Sequence, residues 1–164
     1  MNCISDFSFS GIGPYEYDGE GYGSRASRAS EYIDTSYGGW MTMHRIALVY
    51  GWKPEGGSYY CGSSGRIVSS ADALAIHQSL ESYIKAPHEA YSRWLAYVAQ
   101  PKEQQARIFP MGDQSYDGKT GKSHQIDPET SDAAIRWKEI SAGGYHTNFA
   151  KRLSDFCAKG EFRI

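Results

Sequence analysis

The first run of residues to invite a chemical reading is Gly118-Lys119-Thr120-Gly121-Lys122-Ser123, which offers two chances at the Gly-Lys-[Ser/Thr] ending of a phosphate-binding loop. That chemistry requires an earlier glycine at a fixed offset, a buried strand before the loop and a helix amino terminus aimed at the phosphates. The positions at the required offset are Asp113 and Tyr116, no apolar strand precedes them, and Pro128 interrupts the stretch where the helix would have to start. Nucleotide binding is not expected.

Read as Asp113-x-Ser115-x-Asp117-Gly118, the same stretch matches the opening of a calcium loop, where alternate oxygens surround the ion and a glycine permits the turn. The twelfth position holds His124 in place of a bidentate Glu, and Lys119 and Lys122 bring positive charge. Asp113, Ser115 and Asp117 are therefore weak ligands, and a turn-rich loop is the simpler expectation. His44, His77, His88, His124 and His146 never stand three or four apart, and no cysteine pair supports them, so neither metal nor cofactor is expected. Gly62-Ser63-Ser64-Gly65 lacks the order of a nucleophile elbow and reads as a turn. Cys61 or Cys157 could pair with a distant histidine, although Cys157 falls on the apolar face of its helix, where a thiol acts as a small hydrophobe. An enzyme reading would have to assemble its site from distant residues, with Cys61, His77 and Asp113 the first to substitute.

Thirteen tyrosines and four tryptophans are more than a core of this size needs, and such side chains supply large contact area with few rotors to freeze. Trp40, Trp94 and Trp137 occupy helix faces expected to be buried. Tyr15, Tyr17, Tyr22 and Tyr116 fall in loops and are the expected partner-binding residues.

These residues must be positioned by a single domain, since 164 residues can hide roughly 70% of the unfolded chain's surface. A net charge of -2 gives no long-range pull on nucleic acid, and the basic residues near the carboxy end are interleaved with Asp155 and Glu161. Three scattered cysteines suit reduced thiols, and no run of sequence approaches bilayer-spanning length, so a cytoplasmic setting without membrane contact is expected.

The expected fold is α+β and mainly helical, with about five helices packed on a small β-hairpin. Residues 1–33 form an aromatic, glycine-rich amino-terminal segment suited to loops and short extended pieces. Trp40, Met43, Ile46, Ala47 and Tyr50 mark a first helix, with His44, Arg45 and Val49 off its apolar face; Gly51 and Pro54 stop it. Ser58–Cys61 and Arg66–Ser69 are expected to pair as the hairpin. Ser69, three residues before Asp72, caps a second helix that runs to about Lys85 with Ala73, Ile76, Leu80, Tyr83 and Ile84 inward. Pro87 opens a third that buries Tyr91, Trp94, Leu95 and Val98, and residues 102–107 could add a turn. Residues 109–127 read as a long loop, after which Asp127 and Pro128 open a fourth helix with Ala133, Trp137 and Ile140 inward. The last helix carries Phe149, Leu153, Phe156 and Cys157 on one face, stops at Gly160, and is succeeded by Phe162 and Ile164 as an apolar tail.

Trp40, Gly51-Trp52-x-Pro54-x-Gly56, Tyr60, Gly65-x-x-Val68, Asp72-Ala73 and the closing Phe156-Cys157-x-x-Gly160-x-Phe162-x-Ile164 together resemble a group of small uncharacterised proteins scattered through bacteria and their phages. The likeness spans about Tyr37 to Ile84 and Phe149 to Ile164, with Glu161 where that group usually has a second glycine. It implies a fold and a microbial setting, and no activity. The function expected on these grounds is that of a non-enzymatic module that binds another protein in a bacterial or phage-infected cytoplasm, an inhibitor or immunity-type role being the nearest analogy. The alternatives are an enzyme of unknown class and a weak calcium loop at 113–124.

Overall fold

A computed structural model describes residues 8–12, 32–55, 67–104, 114–116, 123–125 and 131–163. Among them stand five α-helices: α1 (Tyr37–Val49), α2 (Ser70–Lys85), α3 (Ala90–Val98), α4 (Asp132–Ser141) and α5 (Tyr145–Cys157). The mainly helical α+β expectation holds. The strands are β1 (Ser8–Ile12), β2 (Tyr32–Ser36), β3 (Ile67–Val68), β4 (Gln114–Tyr116), β5 (Ser123–Gln125) and β6 (Phe162–Arg163). Two antiparallel assemblies result, one ordered β2-β1-β6-β3 and the other a β4-β5 pair.

The helix boundaries arise from local chemistry. α1 ends because Gly51, at φ +111°, turns the chain into the left-handed region, and the Gly51 and Trp52 amides return to the carbonyls of Leu48 and Ala47 at 3.2 and 2.9 Å. This is a Schellman closure. A Cβ built on Gly51 meets nothing within 4 Å, so Gly51→Ala should cost about 1 kcal/mol from backbone strain alone, read as a lowered Tm without loss of helix. The Ser69 hydroxyl accepts the Asp72 amide at 3.1 Å and starts α2 as the sequence predicts.

Four expectations need correction. α4 is capped by Ser131, whose hydroxyl accepts the Ala134 amide at 3.2 Å with Asp132 in the first turn, in place of a start at Asp127-Pro128. α3 buries Ala90, Trp94 and Tyr97, while Tyr91, Leu95 and Val98 are only half-buried against the core. Within the loop expected over 109–127, β4 pairs with β5 in the register Gln114↔Gln125, Ser115↔His124, Tyr116↔Ser123; strands of three residues are too short to show a period. Finally, His44 and Val49 are buried, because α1 packs against α2, α3 and β2 and so has little free side.

The expected hairpin's first arm and turn lie outside the described residues. Its second arm, Ile67–Val68, pairs with Phe162–Arg163, which places fully buried Val68 opposite Phe162. Phe162 meets the Phe156 and Trp40 rings edge-on at 5.0 and 6.1 Å, so the tail closes the core over the start of α1.

The core runs between α2 and α5, with α1 across one side and the α3–α4 pair across another. Phe149, Leu153 and Phe156 of α5 are all buried, each contributing on the order of 2 kcal/mol by removal from water. Trp94 and Trp137 stack at 6.1 Å and 12°, joining α3 to α4. No described helix is long and apolar enough to cross a membrane.

Candidate functional site

The residues singled out from the sequence do not gather at one place. Tyr15, Tyr17, Tyr22, Cys61, Asp113 and Asp117 lie outside the described residues. Tyr116 and Ser115 belong to β4, and residues 117–122 join it to β5 just as residues 13–31 join β1 to β2. A helix-flanked calcium loop has no such ladder, with its third and twelfth positions directly opposed. Among the described residues, no three His, Cys, Asp or Glu side chains come together as a metal ion would require.

His77 is tied to α5. The Ser154 hydroxyl, fully buried, lies 2.7 Å from Glu81 Oε1, and His77 Nδ1 lies 2.8 Å from that hydroxyl and 3.1 Å from the Ser154 carbonyl oxygen. A hydroxyl has one proton, and the carboxylate takes it, so Nδ1 carries the hydrogen and donates. The serine stands between the imidazole and the acid, whereas a nucleophile needs the imidazole between. This constellation clasps α2 to α5. Cys157, buried on α5, has its thiol pushed up by desolvation and stays un-ionised.

A second polar junction links α1, the segment after it and α2. Asp72, 1% exposed, accepts the Trp52 indole N–H at 2.9 Å and the Glu55 amide at 3.1 Å. Ser69 donates to Glu55 Oε2 at 2.6 Å while capping α2. His44 fills the space behind, edge-on to Trp40 at 4.2 Å and stacked on Trp52 at 5.2 Å. Burial drives its pKa down to about 3, with the Trp40 backbone pulling weakly the other way. Trp52 and Asp72, noted in the sequence for their spacing, thus form one structural unit with Glu55.

That unit forms one wall of a groove of about 510 Å³, which the sequence did not disclose. The wall consists of the end of α1 and residues 51–54; the facing wall is the outer side of α3 and the turn after it. Leu48, Val49, Trp52, Pro54 and Tyr97 make an apolar lining, and Lys53, Arg93, Gln100, Glu103 and Gln104 supply the polar groups. Arg93 stands three and four residues before Ala96 and Tyr97, so α3 turns one stripe to the groove while Trp94 faces the core, and Gln100 and Gln104 join the wall from beyond the helix end.

Arg93 is held from several sides. Its Nε donates to Glu89 Oε2 at 2.9 Å, one turn earlier, and its guanidinium carbon sits 4.5 Å over the Tyr50 ring. Tyr50 is fixed in turn, its hydroxyl donating to the Ala86 carbonyl at 2.7 Å and its ring meeting Tyr83 at 5.5 Å. Burial pushes the Tyr50 phenol up to about 12, against the opposing pull of Arg93, so it remains a neutral donor. Tyr83, raised by burial and then by Tyr50, donates to the Ile140 carbonyl at 2.8 Å.

No family model, curated protein or solved structure matches the chain. The groove's signal in the sequence was the Glu89-to-Arg93 interval, which a search for apolar stripes passes over.

Proposed function

We propose that this chain is a non-enzymatic binding module that receives part of another protein in the groove between α1 and α3. One observation carries the reading: the groove has an apolar, aromatic lining of ligand-accommodating size. Such a surface holds a side chain by excluding water. In this proposal Tyr15, Tyr17 and Tyr22, in the sequence between β1 and β2, and Tyr116, at the end of β4, are further partner-binding residues. The setting we assign is a bacterial or phage-infected cytoplasm, supported by the scattered cysteines, and an inhibitor or immunity-type role is the closest analogy.

Ala96 is an exposed helical position on the groove wall, so Ala96→Trp should fill the groove with little change in Tm. A partner bound by the native chain should be lost from this variant and kept by Arg152→Ala on the exposed side of α5. Undiminished binding by Ala96→Trp in a pull-down of that partner would remove the groove from the proposal.

A further inference from the structure

We infer that the groove selects a partner segment in which a bulky apolar residue stands beside a glutamate or aspartate, the apolar group entering between α1 and α3 and the carboxylate meeting Arg93. The inference rests on the docking role proposed above and specifies its chemistry.

Arg93 commits only its Nε to Glu89. Among the described residues its terminal nitrogens have no hydrogen-bond partner, and neither has the amine of Lys53. Those terminal N–H groups form the planar edge that binds a carboxylate through two parallel hydrogen bonds. The edge is also partly oriented, since Glu89 holds Nε and the guanidinium lies over the Tyr50 ring. An arginine with two contacts already made loses less rotamer freedom on binding than a free one.

The charges lining the groove set a direction. Among the described residues Glu103 is the one acidic group in the lining, ten positions after Arg93 and beyond the end of α3. A carboxylate is drawn to the Arg93 end and repelled from the other. Glu89 offsets part of the positive charge, so the selection comes from directed hydrogen bonds at short range more than from a long-range field. A groove extending past Arg93 toward Gln104 suits a segment that runs through it, which favours an acidic side chain within a chain over a terminal carboxylate.

The test uses the full chain and fluorescence anisotropy with labelled peptides, acetylated and amidated, in matched pairs that differ only in Glu against Gln beside Phe, Leu, Met or Trp. The Glu member of at least one pair should bind about tenfold more tightly than its Gln partner. Arg93→Gln should reduce that preference to less than twofold, Arg93→Lys should fall between, and Ala96→Trp should abolish binding of both peptides. Equal binding of Glu and Gln peptides by the native chain, or a preference that survives in Arg93→Gln, overturns this inference and leaves the docking role standing. No binding by any peptide, or binding that survives Ala96→Trp, overturns both. Binding confined to a control peptide that ends in Phe with a free carboxylate overturns the choice of an internal acid.

Discussion

Asp72→Ala should destabilise the protein by about 3 kcal/mol, among the largest single-residue losses outside the apolar core. The carboxylate is buried at the first turn of α2, where it accepts the Trp52 indole and the Glu55 amide. Removing it leaves both donors buried or half-buried without that acceptor, and removes a negative charge from the positive end of a helix. Asp72→Asn keeps an oxygen that Trp52 can reach and should cost about 1 kcal/mol. The measurement is urea unfolding monitored by circular dichroism, with the midpoint shifted at constant slope. A loss under about 1 kcal/mol for Asp72→Ala would show that the junction between α1 and α2 is held by packing alone. Because Trp52 and Pro54 line the groove, the same variant should also weaken binding there.

Acid should unfold the protein early, and His44 should account for much of that sensitivity. Its folded pKa lies near 3 because burial excludes the charged form, against 6.5 for the exposed side chain. Between those values the unfolded chain binds a proton that the folded chain refuses, so stability is complete above 6.5 and falls as the pH drops toward 3. The slope approaches about 1.4 kcal/mol per pH unit and the total is on the order of 4–5 kcal/mol, a large share of the stability of a domain this size. His44→Phe retains a flat ring between Trp40 and Trp52 and has nothing to titrate. Its unfolding free energy should stay nearly level from about pH 6.5 to about 4.5, where that of the native chain declines. Parallel declines in the two proteins would place the acid sensitivity in carboxylates.

Local signals carried the helices well. Ser69 with Asp72, Gly51 with Pro54, and the spacing of Phe149, Leu153, Phe156 and Cys157 each act within a turn or two, so one stretch of chain is enough to reveal each of them. Three features fell outside that reach. The four-stranded assembly joins Ile12 to Arg163 and Val68 to Phe162, pairings between remote segments whose strands are as short as two residues. The burial of His44 depends on what surrounds α1 on several sides, whereas a helical stripe reveals only one. The groove draws its lining from two walls, and each residue there has a sufficient local explanation: Gly51 and Pro54 as a stop, Tyr97 as core, Arg93 as an ion pair. Arg93 acquires meaning only when α3 is set against the end of α1.

The clasp between His77, Glu81 and Ser154 has a consequence for biosynthesis. α2 leaves the ribosome well before α5, and although α1 already stands ready to pack on it, the side of α2 that meets α5 has no permanent cover until residues 145–157 have been made. At about 5–20 residues per second, that interval lasts roughly 4–14 s, long enough for a growing chain to meet its neighbours on a polysome. The helix that waits through translation with its face exposed is thus the one on which a chaperone would act, and slower elongation between codons 86 and 144 would lengthen its exposure.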